Sequence, residues 1–206
     1  MDPAVAPVQD ALARWLPELA IAAALAWGAG IRLYAVLLLV GLAGAMGWID
    51  LPSHLRVLSH PLVMGASGFM AITELLADKV PWLDSLWDAI HTLIRIPAGA
   101  SLAAAVFGDA GTAAAVAAAI LGGAIAAGAH LTKAGVRGAA NASPEPFSNW
   151  ALSLAEDAVV PAGLWLAFAK PAMFLVLLAL AALGAVAVLR WILRGLSALA
   201  RRLRPA

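Results

Sequence analysis

Apolar runs long enough to form membrane helices follow one another along the whole chain, separated by short polar breaks. Crossing the hydrocarbon of a bilayer takes about 20 residues of α-helix. Six stretches qualify: 17–47, 60–79, 82–108, 111–134, 146–169 and 171–193. The breaks "IDLPSH", "DKVP", "FGDAG", "KAGVRGAANASPEP" and "AKPA" carry the Pro, Gly, Asp and Asn of turns. Ala, Leu and Gly fill the runs, and β-branched and aromatic residues do not alternate with polar ones. That pattern predicts helices and argues against a membrane β-barrel. The third and fifth stretches both begin amphipathic.

Composition turns the pattern into a class. Of 206 residues 64% are hydrophobic and 12% charged, where a soluble domain carries about a quarter charged. The expected fold is all-α, a polytopic membrane helical bundle of about six transmembrane helices forming a single domain over 1–206. Its first partner is then the lipid bilayer. Nucleic acid is not expected, and a homo-oligomer stays open. The absence of cysteine excludes a disulfide framework and a thiolate metal site. The N-terminus "MDPAVAPVQDALARWLPEL" lacks the basic region of a cleavable signal peptide, so the first apolar run reads as a retained helix.

The basic residues are unevenly placed. Six spans with both termini in the cytoplasm put Arg14, Lys79, Lys133, Arg137, Arg190, Arg194, Arg201, Arg202 and Arg204 inside, against Arg56 and Lys170 outside. This agrees with the positive-inside rule. The tail 194–206 then reads as a cytoplasmic basic helix resting on anionic lipid.

Two segments echo one another. "VPWLDSLWDAIHTLIRIPAG" and "EPFSNWALSLAEDAVVPAG" both start at Pro and end in Pro-Ala-Gly. Aligned on Pro81 and Pro146, Asp84 matches Asn149, Asp88 matches Ser153 and His91 matches Glu156, which is followed by Asp157. Each copy follows a Gly-rich apolar helix that ends in charges: Glu74, Asp78 and Lys79 in the first, His130, Lys133 and Arg137 in the second. The expected organisation is an internal helix-pair repeat over about 60–108 and 111–169, parallel or inverted.

On a helix begun by Pro81, Asp84, Asp88, His91 and Arg95 fall within a stripe about 60° wide. Asn149, Ser153 and Glu156 repeat it. Ionisable groups in a bilayer cost several kcal/mol unless paired or hydrated, so both stripes are expected to face the bundle interior. Three roles fit. One is a hydrated cavity or permeation route for a small polar or ionic solute, open to the cytoplasm, with His91, Asp84 and Asp88 as the proton- or cation-coupled group. A second is a purely architectural charge network in a scaffold or assembly factor. The third is a metal-dependent enzyme acting on lipid, with Asp84, Asp88, His91 and Glu74 as weak candidate ligands. HExxH, a nucleophile elbow and a phosphate-binding loop are absent, and neither a catalytic residue nor a cofactor is expected.

Arg32 in "WGAGIRLYAVLLL" lies too deep in the first span to reach water easily. It reads either as the partner of an interior carboxylate, with Glu74 a candidate, or as an anion-binding guanidinium. Gly28 and Gly30 beside it permit close approach of another helix or a ligand. The pairs Gly41/Gly44 and Gly122/Gly123, with Gly47, Gly65 and Gly68, read as packing surfaces. His54 and His60 read as polar loop residues, and Trp27, Trp48, Trp82, Trp165 and Trp191 as interfacial anchors.

The strings "GIRLYAVLLLVGL", "ELLADKVPWLDSLWDAIHTLIRIPAGA" and "HLTKAGVRGAANASPEPFSNWALSLAED", in that order over about 17–170, resemble the bacterial membrane domain-of-unknown-function family 4126. The resemblance implies a multi-span protein of the bacterial inner membrane with these polar strings as its hallmark. It carries no established activity.

Overall fold

The computed structural model describes the backbone of residues 6–141 and 147–202; the side chains of 6–12, Pro81, 192–193 and 195–202 lie outside the description. Pro146, the start of the second echo, and most of the basic side chains of the tail therefore fall outside it. Every element among the described residues is helical.

The first helix, α1 (Ala6–Ala45), is broken at Arg32, whose φ of −140° and ψ of 70° are not helical. The break reverses the chain. A Cβ placed on Gly28 would stand 2.7 Å from Val36 Cγ2, whereas eight residues of straight helix rise about 12 Å. Trp15, early in the first limb, stacks on Phe107. Just past the second limb, His54 lies against Gly108 and pairs with Asp109 at 3.3 Å. Both ends of α1 thus lie at one end of the bundle, and Arg32 points toward the other. The stretch 17–47, expected as one span, is two antiparallel limbs.

A 3-10 helix (Ser53–Ser59) turns the chain into α2 (Pro61–Ala77), whose start is fixed twice. Pro61 occupies the first turn, and His60 Nδ1 accepts the Leu62 N–H at 3.2 Å. His60 is therefore a helix cap. α2 descends beside the second limb of α1, with Gly41 seated under the Leu58 carbonyl, and ends at Asp78 near Arg32. α3 (Pro81–Val106) climbs back along the first limb, as the contacts of Gly99 with Ala26 and of Phe107 with Trp15 show.

α4 (Thr112–Asn141) forms a hairpin with α3, with Gly122 against the Gly99 carbonyl. It does not stop at 134. The stretch from Lys133 to Asn141, expected as a loop, is helical because His130, Lys133 and Arg137 share one buried face and pair there. α5 (Phe147–Ala169) returns past Arg32, Gly28 and Trp27. Pro97 and Pro161 lie inside α3 and α5, and of the glycines two residues on, Gly99 leaves no room for a Cβ against Ala126 of α4 and closely approaches Ala26 of α1, while Gly163 leaves none against Trp27 of α1. Trp27 is thus a packing residue in contact with Phe174, whereas Trp48, Trp82, Trp165 and Trp191 are exposed. α6 (Pro171–Arg202) packs through Phe174, Leu175 and Leu178, and most of its other described side chains form an exposed apolar face.

Five helices are long and apolar enough to cross a membrane, or six if the 3-10 helix and α2, bent by 66°, count as one span. Outward-facing Leu62, Phe69, Leu93, Ile120 and Leu183 would be costly in water and are at home in lipid. The chain is a membrane protein. Its first limb of α1 is the packing post of the bundle: Ala24, Leu25, Ala26 and Ala29 are fully buried there. Small side chains let helices approach closely where no hydrophobic effect drives them together.

Candidate functional site

At the Arg32 end of the bundle four helices and the α1 reversal bring ten charged side chains together. α4 supplies a basic face, His130, Lys133, Arg137 and the polar Asn141, at spacings that align on a helix. α3 faces it with Asp84, Asp88 and Arg95, α2 with Glu74 and Asp78, α5 with Asn149, Ser153, Glu156 and Asp157, and α1 with Arg32.

Arg95 is the centre of one half. It is fully buried and pairs with Glu74 and, at 2.6 Å, with Asp88. Arg137 is the centre of the other. Its Nε meets Glu156 at 2.9 Å, and its Nη2 donates to Ser153 Oγ at 3.1 Å and Asp78 at 3.3 Å. Asp84 lies 3.7 Å from its Nη1. Lys133 joins the halves, with Nζ 3.5 Å from Asp88 and 3.3 Å from Glu156. Arg32 pairs with Asp78, with Glu156 at 3.3 Å and with Asp157 at 3.1 Å.

The reversal of α1 belongs to this site. Breaking a helix inside a membrane frees backbone carbonyls that need donors. Lys133 Nζ donates to the Ile31 carbonyl at 3.0 Å, so the cation that joins the two halves also closes the end of the first limb. Gly30 is what lets that limb touch the Ala126 carbonyl of α4.

Both histidines are read from their partners. His91 Nδ1 lies 2.8 Å from the Trp87 carbonyl and must donate to it, so Nε2 accepts from Tyr34 OH at 3.1 Å. Thr92 donates to the Asp88 carbonyl and therefore accepts from His130 Nε2 at 2.7 Å, which leaves His130 Nδ1 to accept from Arg95 at 3.2 Å. The His130 imidazole is neutral in this arrangement, because its Nδ1 accepts from a guanidinium.

Several expectations are corrected here. Arg32 pairs with Asp78, Glu156 and Asp157, because the reversal places it beside α5 and the end of α2, while Glu74 belongs to Arg95. With its guanidinium covered by carboxylates and 2% exposed, Arg32 is not an open anion site. His91 does not join Asp84 and Asp88; it stacks on Trp87 and bonds to Tyr34. The weak metal candidates Asp84, Asp88 and His91 are not assembled as ligands, and no group of three or more such side chains among the described residues could hold a metal ion. Lys79 is exposed and makes none of the cluster's ion pairs.

The space between the two polar edges is filled by Lys133, Arg137 and Arg32 instead of an open cavity. A cleft of about 190 Å³ between α3 and α4 reaches the cluster from the side, with exposed Ser85, Ala89 and Gly138 at its rim and buried Asp88 and Arg137 within.

Residues absent from the sequence-based set also take part. Asn141 donates to Asp84 at 3.1 Å and accepts from Asn149. It continues the 130–133–137 spacing by one turn, a signal hidden when that stretch is taken as a loop. Tyr34, the chain's one tyrosine, lies two residues from Arg32.

Residues 19–191 match the family model for the domain of unknown function DUF4126. The chain belongs to this family. The match covers all ten charged members of the cluster, so the DUF4126 region contains the whole site. No curated protein and no solved structure matches the chain.

Proposed function

We propose that this DUF4126 protein is a transporter or channel for a small polar or ionic solute, with the buried charge cluster as its working centre. The observation that carries the proposal is an imbalance. Among the described residues six carboxylates face four cations (Arg32, Arg95, Lys133 and Arg137): Glu74, Asp78, Asp84 and Asp88 are buried with the cations, Glu156 is half-buried and Asp157 is exposed. Glu74 Oε2, Asp78 Oδ1, Asp84 Oδ1 and Asp88 Oδ2 are buried without a hydrogen-bond partner among the described residues. A network serving only to hold helices together is expected to be balanced and satisfied, since each unpaired buried group costs stability. Buried carboxylate oxygens left without a donor are what a site for a transient cationic guest needs.

Two further features support the reading. Broken helices inside a membrane are tolerated where they line a site, and α1 breaks at the cluster. The α3–α4 cleft offers a route from the surface to Asp88. The proposed location is a bacterial inner membrane, where the lipid-facing helices would sit. The proposed two-unit repeat gains support from the paired Gly99 and Gly163, each against the first limb of α1, and from Asn141, which bridges the aligned residues Asp84 and Asn149.

One observation favours a scaffold instead: the cations fill the centre and only a small cleft is open. Flux of protons, alkali cations and halides into liposomes containing the purified chain separates the two. Transport predicts flux above empty liposomes that Asp88→Asn strongly reduces while the variant stays folded. A scaffold predicts no flux in either, and a lower melting temperature in the variant.

A further inference from the structure

We propose that Asp78 and Asp84 together hold one proton, making this carboxyl pair a proton-binding site in the membrane core. The inference deepens the transport reading and rests on it for its purpose, but the proton is measured without any transport. Asp78 caps α2 and Asp84 lies in the first turn of α3, and the short link between the helices brings both carboxyl groups onto one guanidinium, Asp78 3.3 Å from Arg137 Nη2 and Asp84 3.7 Å from Arg137 Nη1. Both are fully buried.

Two carboxylates have no hydrogen to share and repel; one carboxyl and one carboxylate bond to each other. The outer oxygens are already engaged. Asp78 Oδ2 faces Arg32 and Arg137, and Asp84 Oδ2 accepts from Asn141. Asp78 Oδ1 and Asp84 Oδ1 are buried without a hydrogen-bond partner among the described residues, and Asp84 Oδ1 lies 3.7 Å from Arg137 Nη1, beyond hydrogen-bond length.

Every element packed on the pair is accounted for. α1 presents Arg32, α4 presents Arg137 and the neutral Asn141, α5 presents Glu156, and α2 carries Glu74 one turn before Asp78. Arg32 and Arg137 are shared among Asp78, Asp84, Glu156 and Asp157, with Lys133 also on Glu156, so three cations serve four carboxylates. One proton on the Asp78–Asp84 pair relieves that excess where two fully buried acids share the Arg137 guanidinium. A metal cation fits less well: it would lie beside two guanidiniums, and hard divalent ions take about six or more oxygens, which the described residues do not assemble. Arg137 lines the α3–α4 cleft, so the pair is one side chain away from the surface route.

Infrared difference spectra of the purified full chain at neutral pH, in H2O and D2O, test this directly. The wild type is expected to show the carbonyl band of a protonated carboxyl. Asp78→Asn and Asp84→Asn are each expected to lose it, because the amide donates the hydrogen that the proton supplied. No such band in the wild type overturns the proposal even if neither variant folds. A band that persists in both folded variants also overturns it, as does a band erased by sodium at constant pH, which would assign the pair to a metal cation. A band present in a protein without flux would sink the transport reading and leave the proton site standing.

Discussion

Arg95 and Arg137 are each nearly sealed from solvent and each holds more than one carboxylate, so removing either leaves buried charge without a counter-ion. Breaking a buried pair from one side costs about 3–5 kcal/mol. Arg137→Gln is therefore expected to lower the melting temperature in detergent markedly, and a variant as stable as wild type would contradict the ion pairs described. His91 makes a useful contrast, since it lies outside the ion pairs and bonds to Tyr34 and the Trp87 carbonyl. His91→Phe keeps the stacking volume and should cost about 1–2 kcal/mol for the lost hydrogen bonds. It should leave flux unchanged, where a His91-centred site would lose it. At this scale the sequence is informative about which residues matter and poor on their pairing. Charges at helical spacing inside apolar runs have to face inward, so Asp84, Asp88, Arg95, Lys133 and Arg137 stand out. Which cation meets which acid depends on where α1 turns, and local spacing does not encode that.

The turn itself has a weak local signature. Gly28 and Gly30 precede Arg32, but "GIRLYAVLLL" contains no proline or polar break, and uninterrupted apolar sequence reads as one long helix. The reversal follows from tertiary contacts: Lys133 on the Ile31 carbonyl, the carboxylates around Arg32, and Gly28 against Val36. The end of α4 was hidden for the opposite reason, because its polar residues look like a loop until their partners are known. Single cysteines test the reversal cleanly, as the chain has none of its own. Arg14→Cys, Arg56→Cys and Lys79→Cys all fall at exposed positions. A membrane-impermeant thiol reagent is expected to reach positions 14 and 56 from one side of the membrane and position 79 from the other. Labelling of 14 and 56 from opposite sides would mean that α1 crosses as a single straight span.

Across the molecule, an apolar shell of lipid-facing helices surrounds a polar core confined to the Arg32 end of the bundle. The all-α membrane class was readable from composition and run length alone, because burying a bilayer's thickness of helix leaves few alternatives. The filled centre was not readable, since long basic side chains from α4 and α1 occupy space that the polar edges of α3 and α5 suggest is open. What remains after pairing is a set of buried carboxylate oxygens without a donor among the described residues, and the proposed transport through the cluster would use them. Proton flux into liposomes, driven by a membrane potential and read by a trapped pH-sensitive dye, tests that claim most directly. The expected result is acidification above empty liposomes by the wild type and a loss of about tenfold or more, roughly 1.4 kcal/mol, in a folded Asp84→Asn variant. Flux equal to empty liposomes, or equal in wild type and variant, would contradict it.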